Sequence, residues 1–436
     1  MLFTQKIQLN LTKEQEKLLD SQSKICNWLY NKFLEKEITA YEMKGKYLGY
    51  FNHNHQFSAF KNEHPFLKVV HSQVLKETLR RLHKAYQKFF DDNKQGRKTG
   101  IPKFRSWKRK WMSLVYPEGA GIKLSRESGR IQITFGKDAQ GKQLRIIVKL
   151  NEPLKRTATK GHNSFGQVVI TKDPNGNYYA CFTLEKQDPE EHKSTEKVIA
   201  IDPNHKNSFV GFDGEKAIEL ASCYVQKNLD VTIDYIKSRR DKCNKKSKAV
   251  FNPDGSLKYW KPSRRWKQFN RVLNKLYAKR REQMKLFAYT VAHWLERHYD
   301  KVLYGDYTPW ASGLKNTHRS MLSQGYVGYL RSIVKWVFEK GGKVAEEVTE
   351  RKSTKTCHCC GNEISMPPEK RFFVCSNLVC NASLPRDVNS AINLYNWHHF
   401  SSKKRPRKVI KKPNAEINLH LKWIPFFGLE EIYSVS

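Results

Sequence analysis

Five of the chain's nine cysteines crowd into one short stretch, Cys357, Cys359, Cys360, Cys375 and Cys380, while Cys26, Cys181, Cys223 and Cys243 are scattered. In a reducing compartment such a cluster reads as metal rather than disulfide. A gap of two residues separates Cys357 from Cys360, fourteen residues intervene before Cys375, and a gap of four leads to Cys380. Two thiolate pairs on tight knuckles match the tetrahedral demand of one structural zinc ion, the second knuckle being looser than the common pattern and Cys359 a competing ligand. A zinc ion closed by four thiolates has no open position for a substrate, so this site holds structure and does not itself cleave.

A second group of chemically capable residues is spread much further. Asp202 ends the hydrophobic run KVIAID, Asp306 ends KVLYGD, Glu350 follows KVAEEV, and Asp387 heads the apolar helical pattern RDVNSAINLYNW. Acids at the ends of neighbouring strands can converge although they are distant in sequence. Such a cluster is what two magnesium ions need to clamp the attacking and leaving oxygens of a phosphodiester, and the cations offset the cost of gathering like charges. On composition alone the signal is weak, because Asp at a strand end is more often a turn or helix cap.

The whole chain has the charge of a polyanion binder. Its 436 residues carry 80 Lys plus Arg against 42 Asp plus Glu, a formal net charge of +38. Self-repulsion on that scale favours nucleic acid, whose phosphates release counterions on binding; a membrane surface is the rival partner. No run approaches the roughly 20 apolar residues of a spanning helix. The start MLFTQKIQLNLTKEQEKLL lacks the apolar core of a secretory signal. An intracellular protein is therefore expected, cytoplasmic and nucleoid-associated in a bacterium or nuclear in a eukaryote.

Patterning supplies the elements that must position these groups. Leu2 to Leu11 alternates as a strand, Thr12 can cap the helix that follows, and VLKETLRRLHKAYQKFF sets an apolar stripe beside Lys76, Arg80, Arg81, Lys84 and Lys88. The next segment, NKQGRKTGIPKFRSWKRKW, is broken by Gly and Pro and interleaves Phe104, Trp107 and Trp111 with Lys103, Arg105 and Lys108, the pattern of a nucleic-acid-contacting loop. From about Ser113 to Gln187 short β-type runs alternate with turns such as DPNGN, a small antiparallel unit. The block from Arg264 to Arg281 is a basic helix including Arg264, Arg265 and Arg271, and YVGYLRSIVKWVFEKGG is another helix with a Gly-Gly stop. The tail SSKKRPRKVIKKPNAE is basic and Pro-broken.

The order of these features resembles the TnpB family of transposon-encoded RNA-guided nucleases, relatives of compact type V CRISPR effectors and of the Fanzor proteins. The resemblance runs through LTKEQEKLL and ICNWLYNKFL, SQVLKETLRRLHKAYQKFF with GIPKF, the first RuvC-like segment IAIDPNHKNSFVGFDG, and ERKSTKTCHCCGN, CSNLVC and RDVNSAINL. It implies an α/β multidomain chain: an RNase H-like RuvC nuclease domain with an inserted zinc ribbon, preceded by a β-barrel wedge domain carrying a helical recognition insert. The implied boundaries are 1–24 and 113–190 for the barrel, 25–112 for the recognition insert, 196–352 and 385–400 for RuvC, 353–384 for the ribbon, and 401–436 for a basic tail.

Two departures from the family pattern matter. Where many members read Glu-Asp-Leu at the end of the second RuvC strand, this chain has Gly305-Asp306-Tyr307, but one branch moves the glutamate to seven residues before the first zinc-ribbon Cys, where Glu350 stands. Where members commonly read Asp-Arg-Asp, this chain has Pro385-Arg386-Asp387. The resemblance thus implies Asp202, Glu350 and Asp387 as catalytic ligands of two magnesium ions and Cys357, Cys360, Cys375 and Cys380 as ligands of one zinc. It further implies a guide RNA, a double-stranded DNA target beside a short motif read near Ser72, Gln73 and Lys76, and a monomeric ribonucleoprotein. Gly305 and Pro385 equally motivate a guided but inert DNA-binding repressor, and charge alone would suit an unguided RNA-binding protein.

Overall fold

The computed structural model describes residues 2–45, 47–97, 99–106, 111–125, 128–155, 165–185, 196–204, 207–221, 224–307, 326–367, 370–399, 417–424 and 427–433. The chain divides into two compact units, Met1–Gln187 and Asp188–Ser436.

The first unit is a layer of helices on an antiparallel sheet. Strand β1 (Leu2–Asn10) leads into α1 (Lys13–Lys44), whose start is fixed by a reciprocal cap: Gln15 N donates to Thr12 Oγ1 and Thr12 N to Gln15 Oε1. Helix α2 (Gly49–Glu63), a 3₁₀ turn (Pro65–Val69) and α3 (Ser72–Lys94) follow, then six strands, β2 (Leu114–Tyr116), β3 (Ile122–Ser125), β4 (Arg130–Lys137), β5 (Gln143–Leu150), β6 (Val168–Lys172) and β7 (Tyr178–Glu185). Strand order is β2-β6-β7-β1-β5-β4-β3. Alternate residues of each strand, such as Ile131, Ile133 and Phe135, point into one core with Leu29, Phe33, Leu75 and Leu79 of the helices.

The structure refines two sequence expectations here. Among the described residues β2 and β3 do not pair with each other, so the sheet is an open half-barrel whose concave face α1 and α3 fill. The boundary expected after residue 24 falls inside α1, which is continuous because its first half already belongs to the sheet: Asp20 accepts from Trp111 at 2.8 Å and from Lys172 and Tyr178 of β6 and β7. Lys108 and Trp107 lie outside the described residues.

The second unit centres on a seven-stranded mixed sheet. Its strands are β8 (Val198–Pro203), β9 (Phe209–Phe212), β10 (Ala217–Leu220), β13 (Lys301–Gly305), β14 (Val344–Val348), β17 (Ile417–Ile424) and β18 (Gly428–Tyr433), in the order β14-β13-β8-β9-β10-β17-β18. Strands β14, β13 and β8 run parallel, and β9 turns back antiparallel beside β8. Helices α4 (Tyr224–Lys242) and α5 (Arg264–His298) flank a small hairpin, β11 (Lys248–Phe251) and β12 (Leu257–Lys261); α6 (Val327–Lys340) joins β13 to β14. Strands β15 (Phe372–Val374) and β16 (Ser383–Pro385) pair within the cysteine region, and α7 (Arg386–His399) follows. The expected tail 401–436 is corrected in part: past residue 416 the chain returns to alternation, and Leu419, Leu421 and Trp423 bury against the sheet's core as β17 pairs with β10. Likewise β16 crosses the 384/385 boundary.

One close approach fixes where α3 begins. A Cβ at Gly136 of β4 would lie 2.6 Å from the carbonyl carbon of Val69 and 2.8 Å from that of Lys68, so the 3₁₀ turn that delivers Ser72 lies directly on this strand. Backbone cannot yield as a flexible side chain would. Gly136→Ala is expected to cost about 1–3 kcal/mol by overpacking. Calorimetry should show a fall of about 2–4 °C per kcal/mol; an unchanged melting temperature would refute the contact.

Candidate active site and metal centre

The period of two places the acids. Ile199 and Ile201 of β8 and Val302 and Tyr304 of β13 pack under α5 and α6, whereas Val198, Ala200, Leu303 and Val348 pack under α7 and the cysteine region. Asp202 continues the second series, Gly305 follows Leu303 in it, and Glu350 follows Val348. Register aligns the same ends: Tyr304 pairs with Ile201 and Gly305 with Val348. The carboxyl ends of three parallel strands thus meet on the face that α7 covers, the usual position of a site in such sheets.

Glu350 occupies the space that a side chain at 305 would need. A Cβ built on Gly305 would come 2.6 Å from the Glu350 carboxyl carbon and 2.7 Å from its Cγ. Asp306, weighed as a ligand from its strand-end position, instead accepts from the Glu350 amide at 3.0 Å and so holds that residue's backbone. Glu350 Oε1 is buried with no hydrogen-bond partner. Burial and then the Asp306 charge push the Glu350 carboxyl up to about 8, against the Tyr307 amide and Arg331, which pull it down. Arg331 of α6 donates to Gly305 O at 3.4 Å and pairs with Glu347 at 3.2 Å.

Asp202 is 4% exposed. Burial first, then the charges of Glu350 and Asp387, hold its carboxyl well above the usual carboxylate range, while a hydrogen bond from Ser390 opposes the shift. Asp387, in the first turn of α7, accepts from Asn204 at 3.4 Å and from Arg386 Nε at 3.1 Å. Buried Asp202 therefore feels the charges of both Glu350 and Asp387. The three acids are held less tightly than the thiols: among the described residues, only the four cysteines form a group whose ligand atoms all lie within 4.8 Å. Hard carboxylate oxygens, one of them orphaned, suit a magnesium ion, which would offset the like charges that now favour protonation.

The turn carrying Glu350 is fastened to α7 by residues that motif reading left without a role. Asn389 Nδ2 donates to Ser353 O at 3.3 Å and Thr356 O at 2.8 Å, and Asn393 Nδ2 donates to the same two carbonyls at 2.8 and 2.7 Å. Ser390 Oγ lies 2.7 Å from Ser353 Oγ. Spacing of four residues puts Asn389 and Asn393 on one helix face, a signal present in the sequence.

The same asparagine reaches the thiol site, since His358 N donates to Asn389 Oδ1 at 3.1 Å. Sγ atoms of Cys357 and Cys380 are 3.7 Å apart and those of Cys360 and Cys375 3.5 Å. Cys359 stands outside the converging four. The first knuckle closes with Gly361 N donating to Cys357 O, at a positive φ of 76° that favours glycine. In the longer second knuckle, Asn377 Oδ1 accepts from Val379 N and Asn381 takes a φ of 46°. Burial pushes the Cys357 thiol well up, so four gathered thiols call for a cation to take their charge.

The proposed nucleic-acid contacts differ among themselves. Ser72 and Gln73 lie exposed at the start of α3, capped by His71, with Lys61 donating to Ser72 Oγ at 2.7 Å and Lys76 close enough to depress the Lys61 ammonium further, after burial and Lys68. Arg80 pairs with Glu77 and lies over the Tyr50 ring at 5.4 Å. Lys103 is exposed, and Arg105 is half-buried: its Nε donates to Asn27 at 3.0 Å and Asn31 brackets its backbone, because Gly and Pro turn this segment back onto α1. On α5, Arg264, Arg265 and Arg271 are exposed.

Comparison with known proteins fits this arrangement. Residues 328–394 match the family model described as "Cas12f1-like, TNB domain", and residues 1–46 match the IS605 OrfB model described as a helix-turn-helix domain, although here they form a strand and one long helix. No curated protein matches the sequence. A solved Cas12f1–sgRNA–target DNA complex shares the fold at a TM-score of 0.58 and 13% identity, over 88% of this chain and 83% of that one. A mini RNA-guided endonuclease, CRISPR-Cas_phi3, is matched at 0.40 and 8% identity over 90% and 92% of the two chains. A transposon-type model thus matches the first 46 residues, a type V model matches residues 328–394, and a compact type V effector shares the fold.

Proposed function

We propose that this protein is an RNA-guided DNA endonuclease that cleaves double-stranded DNA beside a short target-adjacent motif in one RuvC-type site. The observation that carries the reading is the seating of the Glu350 carboxylate over Gly305, beside buried Asp202 and within the charge field that also includes Asp387. The strand order β14-β13-β8-β9-β10 is that of an RNase H-like sheet and supports the same reading. A guide RNA would supply sequence choice by pairing while the protein grips backbone phosphates, in keeping with the net charge of +38.

Each residue of the site has a distinct task. Asp202, Glu350 and Asp387 would hold two magnesium ions, which when bound polarise the phosphodiester and stabilise charge on its oxygens. Asn204 and Arg386 aim Asp387. Asp306 fixes the Glu350 backbone, and Ser353, Asn389 and Asn393 fix the turn that follows. The four cysteines would hold zinc, and His358 links their knuckle to Asn389. An inert repressor was motivated by the glycine at 305; a carboxylate already seated there favours cleavage.

Asp202→Ala, Glu350→Ala and Asp387→Ala should each reduce plasmid cleavage by about 10³-fold or more, ~4 kcal/mol of barrier, with guide RNA and target binding retained. Normal cleavage by any one of them removes that residue from the site. Gly305→Ala should lower cleavage at least about tenfold, ~1.4 kcal/mol, with little change in melting temperature, because the added carbon displaces a side-chain carboxylate rather than backbone. The double variant G305E/E350A, which empties one seat and fills the other, should recover part of the activity lost in E350A; no recovery argues against a shared seat. For the thiol site, metal analysis should find one zinc per chain, and Cys360→Ser should lose it. Through His358 and Asn389 that loss should also raise amide exchange across residues 350–356. Unchanged exchange would uncouple the ribbon from the acids.

A further inference from the structure

Beyond the acids, the second unit has a cavity of about 570 Å³ lined, among the described residues, by Thr349, Arg351, Lys352, Trp397 and His398. Its walls come from the turn that carries Glu350 and from the last turn of α7. Among the described residues no acid lines it, and those that do offer an indole ring, a guanidinium, an ammonium and a hydroxyl. Lys352 is tied to Glu363 at 2.7 Å, and its backbone sits at φ 71°, held there by bonds from Thr356 N and Oγ1 to its carbonyl. Arg351 is exposed at the mouth. Among the described residues, His398 Nε2 is buried without a hydrogen-bond partner.

Orphaned buried polar atoms ask for a polar ligand, and the indole asks for a flat one. Within a single cavity of this size, a ring to stack on, a cation for phosphate and an unsatisfied imidazole nitrogen are the complement of one nucleotide. The path to the acids is short. Ser390, which bonds Asp202, and Trp397 are on the same helix, seven residues or about 10 Å apart by the helical rise.

We propose that this cavity is a nucleotide subsite that receives an unpaired base of the DNA strand next to the phosphate being cleaved. The base stacks on Trp397 with its edge toward His398, and Arg351 holds the adjoining phosphate. By seizing a flanking base, the subsite admits single-stranded DNA to the acids and excludes a stacked duplex, since a base inside a helix cannot reach the indole. The role of the neighbouring acids rests on the nuclease reading above; the subsite's binding does not, and the two are separable.

The test uses the full chain with its bound RNA in magnesium-free buffer, without chelator so that zinc is kept. The probe is an eight-nucleotide single-stranded DNA, unrelated to the guide, carrying one 2-aminopurine. Stacking on the indole should quench its fluorescence saturably, which isolates this site from binding elsewhere on so basic a chain. Trp397→Ala should abolish most of the quenching and weaken the quench-detected affinity at least fivefold; Trp397→Phe should keep the affinity. Arg351→Ala, an exposed change that serves if the tryptophan variant fails to fold, should weaken binding and lower the salt slope by about one phosphate's worth. Quenching that is the same in wild type, Trp397→Ala and Arg351→Ala overturns the subsite. A plasmid assay with magnesium is run beside it: Trp397-dependent quenching without cleavage keeps the subsite and drops the nuclease, whereas cleavage with Trp397-independent quenching keeps the nuclease and drops the subsite.

Discussion

A carboxylate and a Cβ cannot occupy the same volume, and the second unit is organised around that exclusion at residue 305. Strand β13 ends in glycine because Glu350 lies across it, with carboxyl carbon and Cγ both within 2.7 Å of where a Cβ would be. The consequence travels outward. A glutamate reaching over a neighbouring strand must have its backbone fixed, or its three side-chain torsions and the loop beneath it would be free to turn away. Asp306 takes its amide, and the turn after it is pinned by two asparagines of α7. Asp306, next in sequence to the glycine, thus serves as backbone support for the glutamate that lies across it.

Burying Asp202 and Glu350 is unfavourable without a cation: burial and then the charges of Glu350 and Asp387 raise the Asp202 carboxyl, and burial and then the Asp306 charge raise that of Glu350. Proteins keep such arrangements where function requires them, since replacing buried acids by apolar residues would stabilise the fold. The supporting cost is met by a cross-linked base. Asn389 joins the Glu350 turn, the helix bearing Asp387 and the first cysteine knuckle in one hydrogen-bonded set. This explains why the cysteines, although closed to chemistry, follow the acid so closely in sequence: their knuckle is the anchor for the turn, and Cys357 and Phe373 share a core with Val388 and Ala391 of α7.

Much of this was legible before any coordinates. Period-two runs ending in Asp202, Gly305 and Val348 place the strand ends, and the cysteine spacing gives the knuckles, because both depend on local geometry that sequence encodes directly. Asn389 and Asn393 were visible as an i, i+4 pair, but their partners are carbonyls of Ser353 and Thr356, and backbone oxygens carry no residue signature. The strands β17 and β18 were hidden by the basic segment before them, which dominates composition; only the alternation of Leu419, Leu421 and Trp423 marks the return to the sheet. The open edge of the half-barrel has no sequence signature, because pairing of edge strands is a property of the whole sheet, decided here by helices α1 and α3 filling the concave side.

Arg105 shows why a charge run is a poor guide to individual contacts. Its neighbours Lys103 and Phe104 are exposed, yet its guanidinium turns inward to Asn27 and lies 5.6 Å from the Tyr30 ring. Arginine's planar, weakly hydrated fork is the cation best suited to partial burial, so in a segment of mixed Lys and Arg the arginine is the one that folding captures and lysine the one left to solvent. Arg386 repeats the choice beside the acids, where its 13% exposed side chain lies 3.0 Å from Asp387. The cations left exposed are Lys103 in the first unit and Arg264, Arg265 and Arg271 in the second, and under the proposed function these are the ones free to meet phosphate. Counting charge identifies the polyanion; only the competition for partners within the fold decides which charges remain to meet it.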